Sequence, residues 1–169
     1  MRGEVLILII ALQRLAELAL ARRNTSRLLL IGAVERGADH YPALVALHAA
    51  WLGTVAVLAA GQTIAWGWVL AYMALQALRV WTIHSLNGRW TTRILVLPGQ
   101  AAVTGGPYRY LRHPNYVIVA LELALVPLAL GAPGVALIFT LANAALMQIR
   151  LRTEEAALTW ATARPGAKA

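Results

Sequence analysis

The chain has 169 residues, of which 60% are hydrophobic and only 13% are charged, with a mean hydropathy of +0.64. Soluble domains carry about 25% charged residues, so this composition excludes a fully polar surface and predicts that lipid surrounds much of the protein. The sequence has no cysteine, which excludes disulfides, thiolate catalysis and cysteine-based metal sites. The net charge of +8 favours contact with anionic membrane lipids over nucleic acid, because the arginines are scattered between apolar stretches.

Five apolar stretches predict an all-α integral membrane bundle of five transmembrane helices, folded as one domain over residues 1–169. The predicted spans cover residues 5–20, 42–60, 66–84, 116–130 and 135–149. Between them, residues 22–41 are expected to form an interfacial helix or a surface loop, and residues 93–97 a short strand or an interfacial segment. The last span is expected to continue as a polar helix to residue 163, ended by Arg164-Pro165-Gly166.

Arg14 and Glu17 stand inside the first span, three residues apart, and therefore share a helix face. Ionisable residues within a span are costly and usually face the interior of the bundle. We expect an ion pair that fixes this helix to its neighbours, with a direct role in the functional site as the alternative.

The distribution of basic residues predicts the orientation. The connections after the first and third spans and the C-terminal tail, which includes Lys168, each hold four Lys or Arg residues, whereas the turns after the second and fourth spans hold none. By the positive-inside rule, the N-terminus lies outside and the C-terminus in the cytoplasm, as in a multi-pass protein of a bacterial inner membrane. The loop before the fourth span and the C-terminal helix then share the cytoplasmic side.

That loop contains the most distinctive stretch of the chain, Thr104 to Tyr116, which reads TGGPYRYLRHPNY. Pro114 suits the first turn of a helix and keeps His113 out of the helical conformation. Arg112 and His113 therefore stand at the N-terminal mouth of the fourth span, where free N–H groups and the helix dipole favour an anion. The stretch predicts a binding site for a carboxylate or phosphate group.

A second charged cluster follows the fifth span, with Arg150, Arg152, Glu154 and Glu155 in the sequence RLRTEEAAL. The spacing allows pairing of Arg150 with Glu154 and of Arg152 with Glu155 along one helix. Alternatively, the carboxylates attract an amine while the arginines of both clusters attract an anion. A zwitterionic cofactor fits the two clusters together.

The stretch GPYRYLRHPNY, two apolar helices and then Arg-x-x-x-Glu-Glu-x-x-Leu resemble the isoprenylcysteine carboxyl methyltransferase family of integral membrane enzymes. The resemblance is more detailed with a bacterial branch often encoded beside type III polyketide synthases. The elements similar to that branch are the Arg14/Glu17 pair, Arg23-Asn24, Gly32 to Glu35, His40-Tyr41-Pro42, Leu47-His48, Arg89 to Ile94 and Leu97-Pro98-Gly99.

The resemblance implies an S-adenosylmethionine-dependent methyltransferase that methylates an oxygen of a lipid-like substrate entering from the bilayer. The acceptor would be an isoprenylcysteine carboxylate or a long-chain polyketide such as an alkylpyrone or alkylresorcinol. By the same resemblance, Arg150 or Arg152 orients the substrate oxygen, and Glu155 with Glu154 closes the cofactor site. The remaining implied cofactor residues are Tyr108, Arg112, His113, Pro114 and Tyr116.

One departure from the family pattern concerns the C-terminal tail. The family usually continues into a Gly-x-x-Tyr-x-x-Tyr segment, whereas the tail here, Thr159 to Gly166, contains no tyrosine. Part of the usual lid over the cofactor is therefore expected to be missing.

Glu122 and His84 are candidate general bases for an enol or phenol acceptor, whereas a carboxylate acceptor needs no base. Burial two turns into the fourth span would raise the pKa of a carboxyl group, although a polar contact between helices is the alternative reading of Glu122. His84, like His40 and His48, also fits an interfacial or helix-packing role. The four histidines lack ligand spacing, so no metal site is expected.

Two other functions stay open from the sequence. Membrane sterol reductases resemble the same C-terminal region, which makes an NADPH-dependent lipid reductase the first alternative. A non-enzymatic membrane protein is the second. The expected partners are a lipid-like substrate and membrane lipids, without nucleic acid, and the oligomeric state is left open.

Overall fold

The computed structural model describes residues 2–164. Five α-helices dominate it, joined by a short 3-10 helix and two three-residue strands. In chain order the elements are α1 (Gly3–Leu30), β1 (Val34–Arg36), α2 (Tyr41–Leu58), α3 (Trp66–Ser85), β2 (Ile94–Val96), the 3-10 helix (Gly106–Arg109), α4 (Pro114–Ala129) and α5 (Pro133–Thr162). The mainly helical architecture is confirmed, and the strictly all-α description is corrected by the two strands.

Among the described helices, α2 and α5 are long and apolar enough to cross a membrane by length and composition, and α4 is a shorter apolar helix. The predicted spans at residues 42–60, 66–84 and 116–130 each coincide with a helix to within about two residues. Polar and charged side chains in α1 and α3, such as Arg14 and Arg79, lower the hydropathy of these two helices. Five transmembrane helices therefore stay a prediction.

The first helix is longer than expected, because residues 22–30 continue α1 instead of forming a separate interfacial element. No glycine or proline interrupts residues 4–31, and Arg and Leu are good helix formers. The helix ends at Gly32, whose φ of +88° suits a left-handed C-terminal cap. Gly32 N–H donates to the carbonyl of Leu29 and Ala33 N–H to that of Leu28, as in a Schellman motif.

The main apolar core lies where α1, α2, α3 and α4 meet, around Ile10, Trp51 and Leu123. Pro127, inside α4, cannot donate to the carbonyl of Leu123 four residues earlier. The indole N–H of Trp51 donates to that carbonyl instead, at 3.2 Å. This bond ties α2 to α4 at the position where α4 would otherwise leave a backbone acceptor unpaired in an apolar environment.

The two strands pair antiparallel, with Val34 opposite Val96 and Arg36 opposite Ile94. The predicted strand at residues 93–97 is confirmed, and its partner lies in the segment expected to be interfacial. Ile94 and Val96 pack against the last turns of α5 in a small second core. The sheet therefore holds the polar half of α5 against the loop that precedes α4.

The predicted polar continuation of the fifth span is confirmed, since α5 runs unbroken to Thr162. The expected helix stop at Pro165-Gly166 and the basic residue Lys168 lie outside the described residues.

Candidate active site

A cavity of about 560 Å³ opens between the loop before α4 and the polar half of α5. It is walled by residues from the end of α3, the segment around β2, the 3-10 helix, the start of α4 and α5. The predicted site residues that line it are Tyr108, Arg112, His113, Tyr116, Arg150, Glu154 and Glu155. Folding therefore brings together the two clusters that the sequence separates by about forty residues.

Three predicted site residues are not among those that line the cavity. Pro114 is buried in the first turn of α4, where it fixes the start of the helix. Arg152 is exposed to solvent on α5. Glu122 lies deeper in the helix bundle.

Tyr116 joins the two halves of the cavity. Its hydroxyl donates to the carboxylate of Glu154 and accepts a hydrogen bond from Nε of Arg150 at 3.0 Å. Nη2 of Arg150 donates to the backbone carbonyl of Thr92 at 2.9 Å. Within residues 2–164, Arg150 forms no direct ion pair with a carboxylate, and Glu154 meets it only through the hydroxyl of Tyr116.

The pairs expected along the helix are replaced by contacts to the loop. Arg150 and Glu154 meet at the hydroxyl of Tyr116 instead of at each other. Glu155 lies 3.4 Å from Nη1 of Arg112 and 3.5 Å from Nε2 of His113. The carboxylates of α5 are thus oriented towards α4 and its loop, not along their own helix.

His113 caps the N-terminus of α4 and stacks on Tyr116, with ring centroids 5.5 Å apart and planes within 10°. Its Nδ1 lies 3.6 Å from Glu154. The hydrogen bond to Glu154, joined by the charges of Glu154 and Glu155, raises the pKa of His113 against the opposing effect of burial. Nε2 is buried and makes no hydrogen bond within the described chain, but the carboxylate of Glu155 lies 3.5 Å away from it.

Tyr108 lies beside this cluster with its hydroxyl largely buried. Burial, followed by the nearby charge of Glu154, raises the pKa of Tyr108 to about 12. The phenol therefore stays protonated near neutral pH and can donate a hydrogen bond, but it cannot act as a base there.

Glu122 belongs to a buried ion network of Arg14, Glu17, Arg79 and Glu122. Arg79 contacts both carboxylates, and Arg14 reaches Glu17 at 3.0 Å and Glu122 at 2.5 Å. Gln76 adds a hydrogen bond to Glu122 at 2.6 Å. The expected Arg14–Glu17 pair is present, and Glu122 makes the interhelical polar contact that was the alternative to a catalytic role.

Several lining residues were not singled out individually by the sequence analysis. Trp90 is buried and its carbonyl accepts a hydrogen bond from the amide of Asn24 at 2.8 Å. Thr92 supplies the carbonyl that holds Arg150, and Asn115 lies at the cavity beside His113. The segment Arg89 to Ile94 was noted only as a shared pattern, and that pattern was the available signal for this wall. Residues 2–164 contain no group of three potential ligands arranged to hold a metal ion.

One family of known proteins matches the part of the chain that builds most of the cavity. The model of the isoprenylcysteine carboxyl methyltransferase (ICMT) family matches residues 68–160, which span α3 to α5 and include every predicted site residue. The chain belongs to this family. Members of the ICMT family are membrane methyltransferases, and the matched region is the one that builds the cavity.

Two relatives extend the similarity over most of the chain. The uncharacterized protein YpbQ of Bacillus subtilis (strain 168) is 38% identical over 159 residues, covering 91% of this chain and 95% of the relative. An uncharacterized protein of Haemophilus influenzae is 25% identical over 153 residues, covering 86% and 88%. No solved structure matches the chain.

Proposed function

We propose that this chain is an S-adenosylmethionine-dependent O-methyltransferase whose acceptor is a lipid-like molecule that is already anionic when it reaches the cavity. The observation that carries the proposal is Arg150, a buried arginine at the cavity wall without a carboxylate partner in the described chain. A buried cation is strongly destabilising unless a group of opposite charge pairs with it. An anionic oxygen of the substrate would supply this negative charge.

The residues of the cavity fit the proposed cofactor in charge and size. Glu154 and Glu155 offer carboxylates to its amino group, and Arg112 offers a guanidinium to its carboxylate. The imidazole of His113 lines the same cavity, next to both carboxylates. A volume of about 560 Å³ lies within the usual range of small-molecule and cofactor sites.

S-Adenosylmethionine, when bound, would supply an electrophilic methyl group, to which the acceptor oxygen bonds in line as the carbon–sulfur bond breaks and S-adenosylhomocysteine leaves. The protein's contribution is then positioning and the exclusion of water. Nε of Arg150 is fixed by Tyr116 and Nη2 by Thr92. Arg150 can therefore hold an anionic oxygen in one place while the apolar parts of α4 and α5 accommodate the chain of the lipid.

The choice of an anionic acceptor also rests on the position of the candidate bases. Glu122 is enclosed by the buried ion network, and His84 does not line the cavity. A carboxylate, or the acidic enol of an alkylpyrone, needs no base. An alkylresorcinol is a weakly acidic phenol and would react more slowly.

Cofactor binding is tested first. Thermal unfolding of the detergent-purified protein is measured with S-adenosylmethionine, S-adenosylhomocysteine or NADPH. A ligand specific for the folded state adds about 2.7 kcal/mol at a hundredfold excess over its dissociation constant. We expect the two S-adenosyl ligands alone to raise Tm, whereas a rise with NADPH alone would overturn the methyltransferase assignment in favour of a reductase.

Arg150 and Arg152 form a matched pair for the acceptor test. Membranes containing Arg150→Gln or Arg152→Gln are incubated with methyl-labelled cofactor and an isoprenylcysteine, an alkylpyrone or an alkylresorcinol. We expect Arg150→Gln to lose transfer and Arg152→Gln to retain it, with the anionic acceptors labelled fastest. Equal activity of the two variants would remove Arg150 from the site, and cofactor binding without any labelling would favour a different acceptor class.

A further inference from the structure

A second cleft, of about 450 Å³, opens between α1 and the end of α3 and is not part of the candidate active site. The residues that line it are Leu20, Asn24, Ile83, His84, Asn87 and Gly88. None of them has a role in the proposed methyl transfer, and His84 is the one candidate base that the main cavity leaves out.

The polar end of this cleft is cationic. Arg23 and Arg27 lie on the same face of α1 as the lining residues Leu20 and Asn24, at spacings of three and four residues. Nη2 of Arg27 donates to the carbonyl of Gly88 at 2.8 Å, which places the guanidinium at the edge of the cleft. Within residues 2–164 neither arginine forms an ion pair, so both charges are available to a ligand.

The other end of the cleft is apolar. Leu20 and Ile83 line it, and the exposed side chains of Val80 and Met73 continue this surface along α3. A cationic end joined to an exposed apolar surface matches a phospholipid, whose charged headgroup and acyl chains are arranged in the same order.

The cleft and the active-site cavity share a wall. Asn24, which lines the cleft, donates from Nδ2 to the carbonyl of Trp90, which lines the cavity. Both residues are buried, and the bond closes the space between the two openings. A molecule in the cleft is therefore separate from a methyl acceptor in the cavity.

We propose that this cleft binds an anionic phospholipid of the surrounding membrane, with its phosphate between Arg27 and His84 and its acyl chains along Leu20 and Val80. The proposal needs only the membrane setting of the chain and does not depend on the identity of the methyl acceptor. A lipid held there packs directly behind the Asn24–Trp90 contact that forms one wall of the active-site cavity.

The test uses the full-length protein in a neutral detergent. Phosphatidylglycerol, phosphatidylcholine with the same acyl chains, or inorganic phosphate is added stepwise, and the bound lipid and Tm are measured by native mass spectrometry and thermal unfolding. We expect phosphatidylglycerol to bind and to raise Tm, phosphatidylcholine to do so weakly, and phosphate alone to have no effect. Equal effects of the two lipids, or an equal effect of free phosphate, would overturn the proposal.

Arg27→Gln and Arg22→Gln form the matched pair, because Arg22 carries the same charge on the same helix but lies off the face that lines the cleft. One arginine near a membrane contributes about 1 kcal/mol to the binding of anionic lipid, so Arg27→Gln should bind phosphatidylglycerol about fivefold more weakly. Arg22→Gln should match the unmodified protein. If Arg27→Gln does not fold, His84→Gln takes its place, and indistinguishable affinities of the cleft variant and Arg22→Gln contradict the site.

Discussion

The buried ion network and the cavity cluster both contain arginine and glutamate but differ in how completely their charges are paired. In the network, two arginines and two carboxylates satisfy one another between α1, α3 and α4. In the cavity cluster of His113, Tyr116, Arg150, Glu154 and Glu155, Arg150 lacks a direct carboxylate partner, and the buried Nε2 of His113 lies 3.5 Å from Glu155 without a hydrogen bond. We expect the fully paired ion network (the closed cluster) to stabilise the fold and the incompletely paired cavity cluster (the open cluster) to bind a ligand.

The largest effect is expected from opening the closed network. Glu122→Ala leaves Arg14 and Arg79 with Glu17 as their only carboxylate in an otherwise buried position. Breaking one partner of a buried ion pair costs about 3–5 kcal/mol, because the remaining charge is uncompensated. Chemical unfolding in detergent should show this loss.

Glu154→Ala is the control for that experiment, since Glu154 is only partly buried and faces the cavity. We expect a small loss of stability together with a strong loss of cofactor affinity. If the two variants lost equal stability, the distinction between the closed and open clusters would be wrong.

The second effect tests the hydroxyl that bridges the open cluster. Tyr116→Phe keeps the ring stacked on His113 but removes the bond from Arg150 and the bond to Glu154. A lost hydrogen bond that leaves a charged partner unsatisfied costs about 1–3 kcal/mol, so methyl transfer should fall roughly 5- to 150-fold. Steady-state rates measure this, and unchanged rates would show that Tyr116 does not position Arg150.

The third effect is the pH dependence of stability. The pKa of His113 is raised above its usual 6.5 by Glu154 and Glu155, so the folded state holds the proton more tightly than the unfolded state. The stabilisation is fully present below pH 6.5 and is lost as the pH rises through the raised pKa. Comparing Tm of the protein and of His113→Gln across pH 5–9 should show a difference that shrinks with rising pH.

A difference between these two proteins that is constant with pH would contradict charge pairing at His113.

The smallest effect on stability is expected at the outer edge of the open cluster. Arg112 is exposed and lies 3.4 Å from Glu155, and pairs of this kind contribute about 0–1 kcal/mol. Arg112→Gln should therefore leave Tm nearly unchanged while weakening the binding of S-adenosylhomocysteine, measured by calorimetry. Unchanged binding would place the ligand's carboxylate elsewhere in the cavity.

The sequence predicted the positions of three helices well, because hydropathy is a local signal, while the roles of the site residues stay a prediction. Hydropathy located α2, α3 and α4, and the resemblance to a family pointed to seven of the residues that line the cavity. The proximity of the loop before α4 to the polar half of α5 was expected, because the positive-inside rule places both segments on the same side of the membrane. That orientation is still a prediction, but the proximity it implied is present.

The parts that the sequence missed depend on contacts between distant residues. Spacing along α5 allowed Arg150 to pair with Glu154, but only the packing of α4 shows that Tyr116 stands between them. The sequence also did not reveal that Glu122 meets Arg79 and Arg14, since these residues lie on three helices. The pairing of β1 with β2 joins segments sixty residues apart, and a three-residue strand has too little periodicity to show its partner.

The apolar half of α5 and its polar half, which lines the cavity, form one continuous helix. Its 30 residues extend about 45 Å, whereas the hydrocarbon layer of a typical bilayer is about 30 Å thick. A transmembrane helix of this length accommodates a thicker or thinner bilayer by changing its tilt. Arg150 and Glu154 lie on α5 whereas Tyr116 lies on the shorter α4, so if α5 spans the bilayer as predicted, a change in its tilt would change the spacing of these three side chains. We therefore expect the thickness of the membrane to affect the geometry of the cavity.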